Sequence, residues 1–507
     1  MEDDDRKLEA IGADNPAVTV PASSGLPLNY DAHHRSQTRQ AGPAPGPAQD
    51  HFETSNSATS TSSNNTCQEH KERLTVSNPT GDVGVVEQHG ASTNSDIDSK
   101  YEHGWRRVVR NFSPSWFSTT MGTGVVSLLL ITIPFKADWL YWLSVVFFVL
   151  NTILFTSAFT VSVLRYGLYP EIWSVMIRDP TNSLFLGTIP MGFATLVESW
   201  YFLCCPYWGH WSVIFAWVAW MIDSVAAFAV TVGLMFLLIS ESHQNQLDRI
   251  TAAQLLPIAA TIVASGAGAE VAELLMHIGY LDHALGTLVT SYVMWGMSTP
   301  FAMTVLVLYY QRLALHKLPP REIIVSSFLP LGPLGMGGYT IFYAGKVARE
   351  LLPQVEFLSD VSVAGDMLYV MGMLVALIMW GFGIVWMILA LATIWSSRPF
   401  PFNMGWWGFT FPLGVFAIST ITFGVEMPSM FFKVLGTMFS VAVIMLWCVV
   451  AAGTAKGAWT GKLFYAPCLK NLARPQEDKP KTMSANHARV MGRATGLAPA
   501  QSEKRRT

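Results

Sequence analysis

Charge is what this sequence has least of. Of its 507 residues, only 13% are Asp, Glu, Lys or Arg, whereas 51% are apolar and the mean hydropathy is +0.34. That balance excludes an ordinary soluble domain. The net charge of −3 offers no basic surplus for a nucleic-acid partner. Cysteine is equally scarce. Cys67, Cys204, Cys205, Cys448 and Cys468 have neither disulfide nor metal spacing and leave the redox compartment open, while the adjacent Cys204 and Cys205 read as lipid or core packing. His210, His243, His277, His283 and His316 fall in or near loops without ligand spacing, so no metal or cofactor is expected. No His/Asp/Glu cluster or activated nucleophile is visible, which argues against an enzyme. The acidic start MEDDD lacks both a basic stretch and an apolar run, so no cleavable signal peptide is expected, and the sequon at Asn64 should stay unglycosylated.

What is present is a set of long apolar runs. Ten are legible, at about 113–133, 140–164, 184–204, 212–239, 254–275, 286–310, 323–345, 364–395, 406–426 and 431–455. The expected fold is therefore an all-α polytopic membrane protein of ten transmembrane helices, arranged as five helical hairpins. Alternate connections hold Arg106, Arg107, Arg110, Arg165, Arg178, Arg249, Arg312, Lys317, Arg321, Arg398, Lys456 and Lys462, whereas the opposite ones hold only Lys136, Lys346, Arg349 and Lys433. By the positive-inside rule both termini are cytoplasmic. Trp139, Trp142, Tyr207, Trp208 and Trp211 flank the outer loops, and Glu171 to Arg178 fits an inner-surface helix.

Three parts follow. Residues 1–105 are expected to be a disordered cytoplasmic tail, since the first hundred hold 15 acidic and 7 basic residues and low-complexity sequence such as ETSNSATSTSSNNT. Residues 106–460 form the ten-helix transport domain. Residues 461–507 form a basic cytoplasmic tail, with nine basic against three acidic residues from 470 onward. That tail reads either as merely soluble or as attracted to anionic lipid.

A weak period of about 70 residues relates the first, third, fifth and seventh segments, with the ninth following a longer step. The odd segments share a chemical feature. Thr188-Ile189-Pro190-Met191-Gly192, Phe328-Leu329-Pro330-Leu331-Gly332 and Thr410-Phe411-Pro412-Leu413-Gly414 each put proline and glycine inside an apolar run. Thr119 to Gly124 and Pro257 with Ser265-Gly266-Ala267-Gly268 are the versions in the first and fifth segments. Proline frees a backbone carbonyl that protein or water must satisfy, so kinks on alternate helices suggest an inner ring of odd helices around a central pore. The plainer alternative for each kink is close packing. The pore's central stretches lack arginine and an acidic ring, with Glu198, Glu270 and Glu273 towards the outer ends of the third and fifth segments. A neutral path lined by Thr120, Thr123, Gly124, Thr188, Pro190, Gly192, Ser265, Gly266, Pro330 and Gly332 suits a weakly hydrated anion better than a cation. Lys346 outside, with Arg249 and Arg321 inside, would attract anions at the mouths or act as ordinary interfacial anchors. Asp223 lies a dozen residues into the fourth segment, where a carboxylate is costly and should be paired, protonated or functional.

The stretches NFSPSWFSTTMGTGVVSLLL, LGTIPMG, LPLGPLGMGG and GWWGFTFPLG occur in order within residues 106–460. Together they resemble the tellurite-resistance and dicarboxylate transporter family, most closely its fungal sulfite-efflux branch. The resemblance implies ten helices in five hairpins, a pore lined by odd helices, and a homotrimer with one pore per subunit. It also implies a gating phenylalanine at a kink of the ninth helix, here Phe411 before Pro412, and proton coupling at Asp223, the alternative there being a structural hydrogen bond. Trp406 and Trp407 are expected to pack between helices or at the inner interface rather than touch substrate. The implied activity is gated efflux of sulfite or bisulfite across the plasma membrane. A malate-type dicarboxylate permease or anion channel is the runner-up, and a membrane enzyme or receptor is a distant third.

Overall fold

The computed structural model describes residues 104–240, 250–355, 361–461 and 463–464, and among these all regular structure is helical. The expected tails lie almost wholly outside the described residues. Ten helices carry the architecture: α1 Ser118–Thr132, α2 Asp138–Leu168, α3 Thr188–Leu203, α4 His210–Ser240, α5 Leu255–His277, α6 Leu281–His316, α7 Leu331–Leu351, α8 Ala364–Ser396, α9 Thr410–Glu426 and α10 Met430–Trp459. Eight are long and apolar enough to cross a membrane. The other two, α3 and α7, coincide with the third and seventh expected segments. α3 carries Pro190, Gly192, Thr195, Glu198 and Ser199 within 16 residues, and α7 mixes glycines with tyrosines and basic residues.

Odd and even helices differ in what surrounds them. Every residue of α5 from Leu255 to Glu273 is buried, and α1 and α9 are buried along most of their length. The even helices bury only a stripe and expose Val, Phe, Ile, Leu and Met on the rest, as helices facing acyl chains do. Packing follows the same division. α1 touches α3, α3 touches α5, α5 touches α7, α7 touches α9, and α9 returns to α1, which closes a circuit. Around it, α2 packs on α1, α4 on α3 and α5, α6 on α5, α8 on α7 and α10 on α9.

The proline-glycine motifs have a different local role from the one expected. They do not kink the middle of the odd helices. Each odd helix instead starts with a 3₁₀ turn, at Pro114–Phe117, Ser183–Gly187, Ala252–Gln254, Ile324–Phe328 and Met404–Gly408. Pro190, Pro257, Pro333 and Pro412 are each the third residue of the α-helical part that follows. In a first turn the amide has no intrahelical acceptor, so proline loses no ladder bond there. The five turns also touch one another in cyclic order, the last against the first. The break in GWWGFTFPLG is thus one of five equivalent junctions. A proline does lie deep inside an even helix: Pro300 in α6, where Thr304 donates to the Pro300 carbonyl at 3.1 Å.

Helix contacts within the ring are close because glycine sits at the crossings. A Cβ on Gly335 of α7 would lie 2.7 Å from the backbone N and Cα of Phe416 on α9. One on Gly124 of α1 would lie 2.2 Å from Thr195 Oγ1 of α3 and 2.6 Å from Asn151 of α2. Hydroxyls here bond to carbonyls one turn back, as Thr340 does to Met336 and Thr420 to Phe416, both at 2.8 Å.

Because the atoms facing Gly335 are backbone, Gly335→Val should separate α7 from α9. We expect loss of the monodisperse protein in detergent or a melting temperature lowered by several degrees, consistent with an overpacking cost of about 1–3 kcal/mol. Gly381→Ala, on the exposed side of α8 with nothing within 4 Å of its Cβ, should leave both unchanged; equal behaviour of the two variants would contradict the crossing described.

Candidate functional site

The inner face of the ring can be traced on α7. Gly335 faces α9, Gly337 faces Met379 of α8 and Thr299 of α6, and α5 meets α7 where Gly266 abuts Met336 and Thr340. Gly332, Tyr339, Tyr343 and Lys346 recur at helical spacing between the α5 and α9 contacts, so they share the face turned to the axis. Gly332 is buried, yet a Cβ placed on it meets nothing within 4 Å. Among the described buried glycines it alone faces open space.

On α9, Thr410 and Gly414 face Gly122 and Val125 of α1, whereas Gly383 of α8 abuts the Phe416 ring and Trp380 of α8 donates to Thr420 at 2.9 Å. Phe411, Val415 and Ile418 lie on the opposite side, towards the axis, and all three are buried. Phe411 is 3% exposed and stands one residue before Pro412, at the first α-helical turn. Trp407 packs between helices, donating to Thr454 of α10 at 3.1 Å, whereas Trp406 packs on the preceding loop, donating to the Pro401 carbonyl at 3.0 Å beside Phe400, Phe402 and Phe409.

Most expected lining hydroxyls are engaged elsewhere. Thr120 donates to the Phe117 carbonyl at 2.7 Å and abuts Gly192 of α3. Thr123 donates to Thr119 and accepts from Trp447 of α10. Thr188 donates to Phe185 and Pro114, and Ser265 to the Ser291 carbonyl of α6 at 2.7 Å. Thr123 and Ser265 therefore face outer helices, and Gly124 the crossing with α3 and α2, not the axis. The reason is general: a hydroxyl in apolar surroundings takes the nearest carbonyl. Pro190 and Pro330 are buried at the 3₁₀ junctions, and Gly266 lies against α7. Arg321 is exposed in the turn before Ile324, and Arg249 lies outside the described residues.

The other end of the ring holds a constellation that sequence reasoning did not assemble. Tyr339 of α7 donates to Glu270 of α5 at 2.5 Å, and Tyr201 of α3 donates to Glu273 of α5 at 2.5 Å. Tyr343 also bonds Glu273, with its hydroxyl 3.0 Å from that of Tyr201. Lys346 stands 3.5 Å from Glu273 and 3.9 Å from Glu426 of α9, over the Tyr343 ring. Tyr369 of α8 donates to Glu426 at 3.2 Å. Two carboxylates thus share one ammonium, and Lys346 brings no surplus positive charge to this mouth. Glu198 of α3 lies within electrostatic range of Glu270 and of Asp223 on α4. Oε1 of Glu198, Oε2 of Glu270 and both carboxyl oxygens of Asp223 are buried without a hydrogen-bond partner. Among the described residues, Asp223 thus lacks the structural hydrogen bond considered for it. The spacing of Glu270 and Glu273, one turn apart on α5, was the available signal.

A family model described as SLAC1, voltage-dependent anion channel, matches residues 111–455. The sulfite efflux pump SSU1 of Arthroderma otae is 46% identical over 357 residues, covering 70% of this chain and 93% of that protein. The sulfite efflux pump SSU1 of Saccharomyces cerevisiae is 23% identical over 438 residues, covering 74% and 94%. The malic acid transport protein of Schizosaccharomyces pombe is 23% identical over 355 residues, covering 68% and 77%.

Removing the ammonium shared by Glu273 and Glu426 should destabilise the fold. With Lys346 partly exposed, a loss on the order of 1 kcal/mol is expected for Lys346→Gln, read as a lower melting temperature in detergent. Lys346→Arg should keep most of the stability, and an unchanged melting temperature in Lys346→Gln would show that the ion pairs contribute nothing.

Proposed function

Because the chain belongs to the SLAC1 family of voltage-dependent anion channels, we propose that it exports sulfite or bisulfite across the plasma membrane, along the axis of its five odd helices. The observation that carries this reading is the 46% identity to a sulfite efflux pump over 93% of that protein's length. The family and the relatives are anion transporters and channels, and the chain is a multi-pass membrane protein. On this reading all ten helices span the bilayer, α3 and α7 included. Both termini are cytoplasmic, and the 3₁₀ ring is the inner mouth.

The electrostatics of that mouth support an anion. Five α-helices begin there, each with its amide-rich, positive dipole end directed at the cytoplasmic entrance. A hydrated anion arriving at the turns meets oriented backbone dipoles. The Phe411 ring, held by the first turn of α9 and buried beside the axis, is the gate. Anions pass when it swings aside towards the space beside Gly332, so Gly332 and Phe411 are the two positions of consequence in the inner half. Asp223 exchanges protons during transport, a role favoured by its two buried, unpartnered oxygens. A homotrimer would cover part of the apolar surface of the even helices.

The dicarboxylate alternative rests on the malic acid transport protein as a relative, at half the identity of the Arthroderma pump. A dianion of that kind calls for a guanidinium in the path. Among the odd helices the sole arginine is Arg349, exposed at the end of α7 and paired with Asp366 at 2.9 Å.

Reconstituted protein should release radiolabelled sulfite from liposomes and release malate far more slowly; the reverse preference would favour the permease. Phe411→Ala is expected to raise sulfite flux several-fold while Pro412 preserves the backbone, and flux unchanged or lower at equal protein incorporation would remove Phe411 as the gate. Asp223→Asn should fold normally and flatten the pH dependence of flux, whereas a profile identical to the parent would leave the carboxylate without a part in transport.

A further inference from the structure

At the outer end of the ring, side chains join helices that are not neighbours in the circuit. The hydroxyls of Tyr201 on α3 and Tyr343 on α7 stand 3.0 Å apart, although α5 lies between those helices. The Lys346 ammonium of α7 lies 3.5 Å from Glu273 of α5 and 3.9 Å from Glu426 of α9, and so draws those two helices to one point. Since α6 covers the outside of α5 and α8 covers that of α7, helices two places apart can meet only on the side of the axis. The axis is crossed at this level.

Glu273 sits at the crossing. Tyr201, at 2.5 Å, and Tyr343 both donate to its Oε2, while Lys346 stands beside its Oε1. Three donors from two helices thus converge on one buried carboxylate. What such donors recognise is general, because a small oxyanion presents the same negative charge and the same acceptor oxygens on one centre. Glu273 is therefore an occupant that the chain itself supplies. The donors do not depend on it: Lys346 is also held by Glu426 and lies over the Tyr343 ring, and the two hydroxyls lie within bonding distance of each other. One turn further out on the same face of α5 is the exposed His277, so an outward swing of the Glu273 side chain carries its carboxylate towards water.

We propose that Tyr201, Tyr343 and Lys346 form an oxyanion site at the outer end of the path, that the Glu273 carboxylate plugs this site at rest, and that a departing sulfite or bisulfite displaces the plug. The inference rests on the export reading above and adds a second barrier beyond Phe411, about 20 Å along α7 from Gly332. Displacement is an exchange of acceptors. The anion takes the two hydroxyls and the ammonium that Glu273 gives up, and the released carboxylate takes hydrogen bonds from outer water. No donor is left bare at any stage, which keeps the barrier to exchange low. Once the anion has left, Glu273 returns to the same three donors and closes the axis behind it.

Two measurements on the full-length protein test this, with Glu273→Gln as the main variant and Glu273→Asp, which draws the carboxylate back by one methylene, as the second. In purified protein, sodium sulfite is titrated against sodium gluconate at equal ionic strength while the melting temperature is read. Both variants should reach half-maximal stabilisation at lower sulfite than the parent, about tenfold lower for Glu273→Gln, and adding Lys346→Gln should abolish the gain. In intact cells, Ile418→Cys, on the axis face of α9 about 12 Å inward of Glu426, is exposed to a membrane-impermeant thiosulfonate. Mass spectrometry reads modification at that position. Glu273→Gln should speed it several-fold, whereas Tyr280→Phe, which removes a hydroxyl contact to His210, should not. A sulfite midpoint or a labelling rate equal to the parent's in both Glu273 variants overturns the proposal. If liposomes holding the parent show no sulfite flux while both expected results appear, the export reading fails and the plugged site stands. Sulfite flux with neither result leaves export intact and removes the plug.

Discussion

Everything in this structure depends on one constraint: a backbone surrounded by apolar groups must satisfy its own amides and carbonyls. The five odd helices meet it while buried on nearly all sides, so they have no solvent to fall back on where a helix begins. The 3₁₀ turns before α1, α3, α5, α7 and α9 solve that problem five times over. Each keeps the chain hydrogen-bonded into the first α-helical turn, and four of the five place a proline where its missing amide hydrogen costs nothing. Because the five turns touch in a cycle, the same device also fixes the spacing of the helices around the axis.

From that geometry the two ends of the ring acquire opposite character. The turn end presents the positive ends of five helices and hydroxyls already bonded to carbonyls. The far end gathers the negative helix ends together with Glu273 and Glu426, a combination that helix dipoles alone disfavour. Lys346 offsets part of it, and the tyrosine hydroxyls offset more. The turn end thus carries dipoles that favour an anion, and the far end carries carboxylates that disfavour one.

Small residues set how tightly the ring closes. Gly124, Gly266 and Gly335 allow contacts that a methyl group would obstruct, and Gly332, alone among the described buried glycines, has no neighbour filling the space beside it. Sequence alone treats these glycines alike. Gly192 and Gly332 follow their prolines by two residues in equivalent motifs, yet a Cβ on Gly192 would collide with Thr120 Oγ1 at 2.3 Å whereas one on Gly332 would meet nothing. Local pattern marks a site of close approach, and only the neighbour brought there decides whether the site is a crossing or a cavity.

What the sequence determined by itself was the helical class, the approximate places of the long apolar segments, the 70-residue period and the distinction between odd and even helices. All four are encoded locally, in runs of apolar residues and in the placement of proline and glycine. Tertiary structure alone decided which way each hydroxyl turned, sending Thr123 to Trp447 and Ser265 to Ser291, because both partners belong to helices distant or separate in sequence. It alone assembled the Glu198, Glu270, Glu273 and tyrosine group. Those bonds join residues between 69 and 142 positions apart, a span over which no helical spacing carries information.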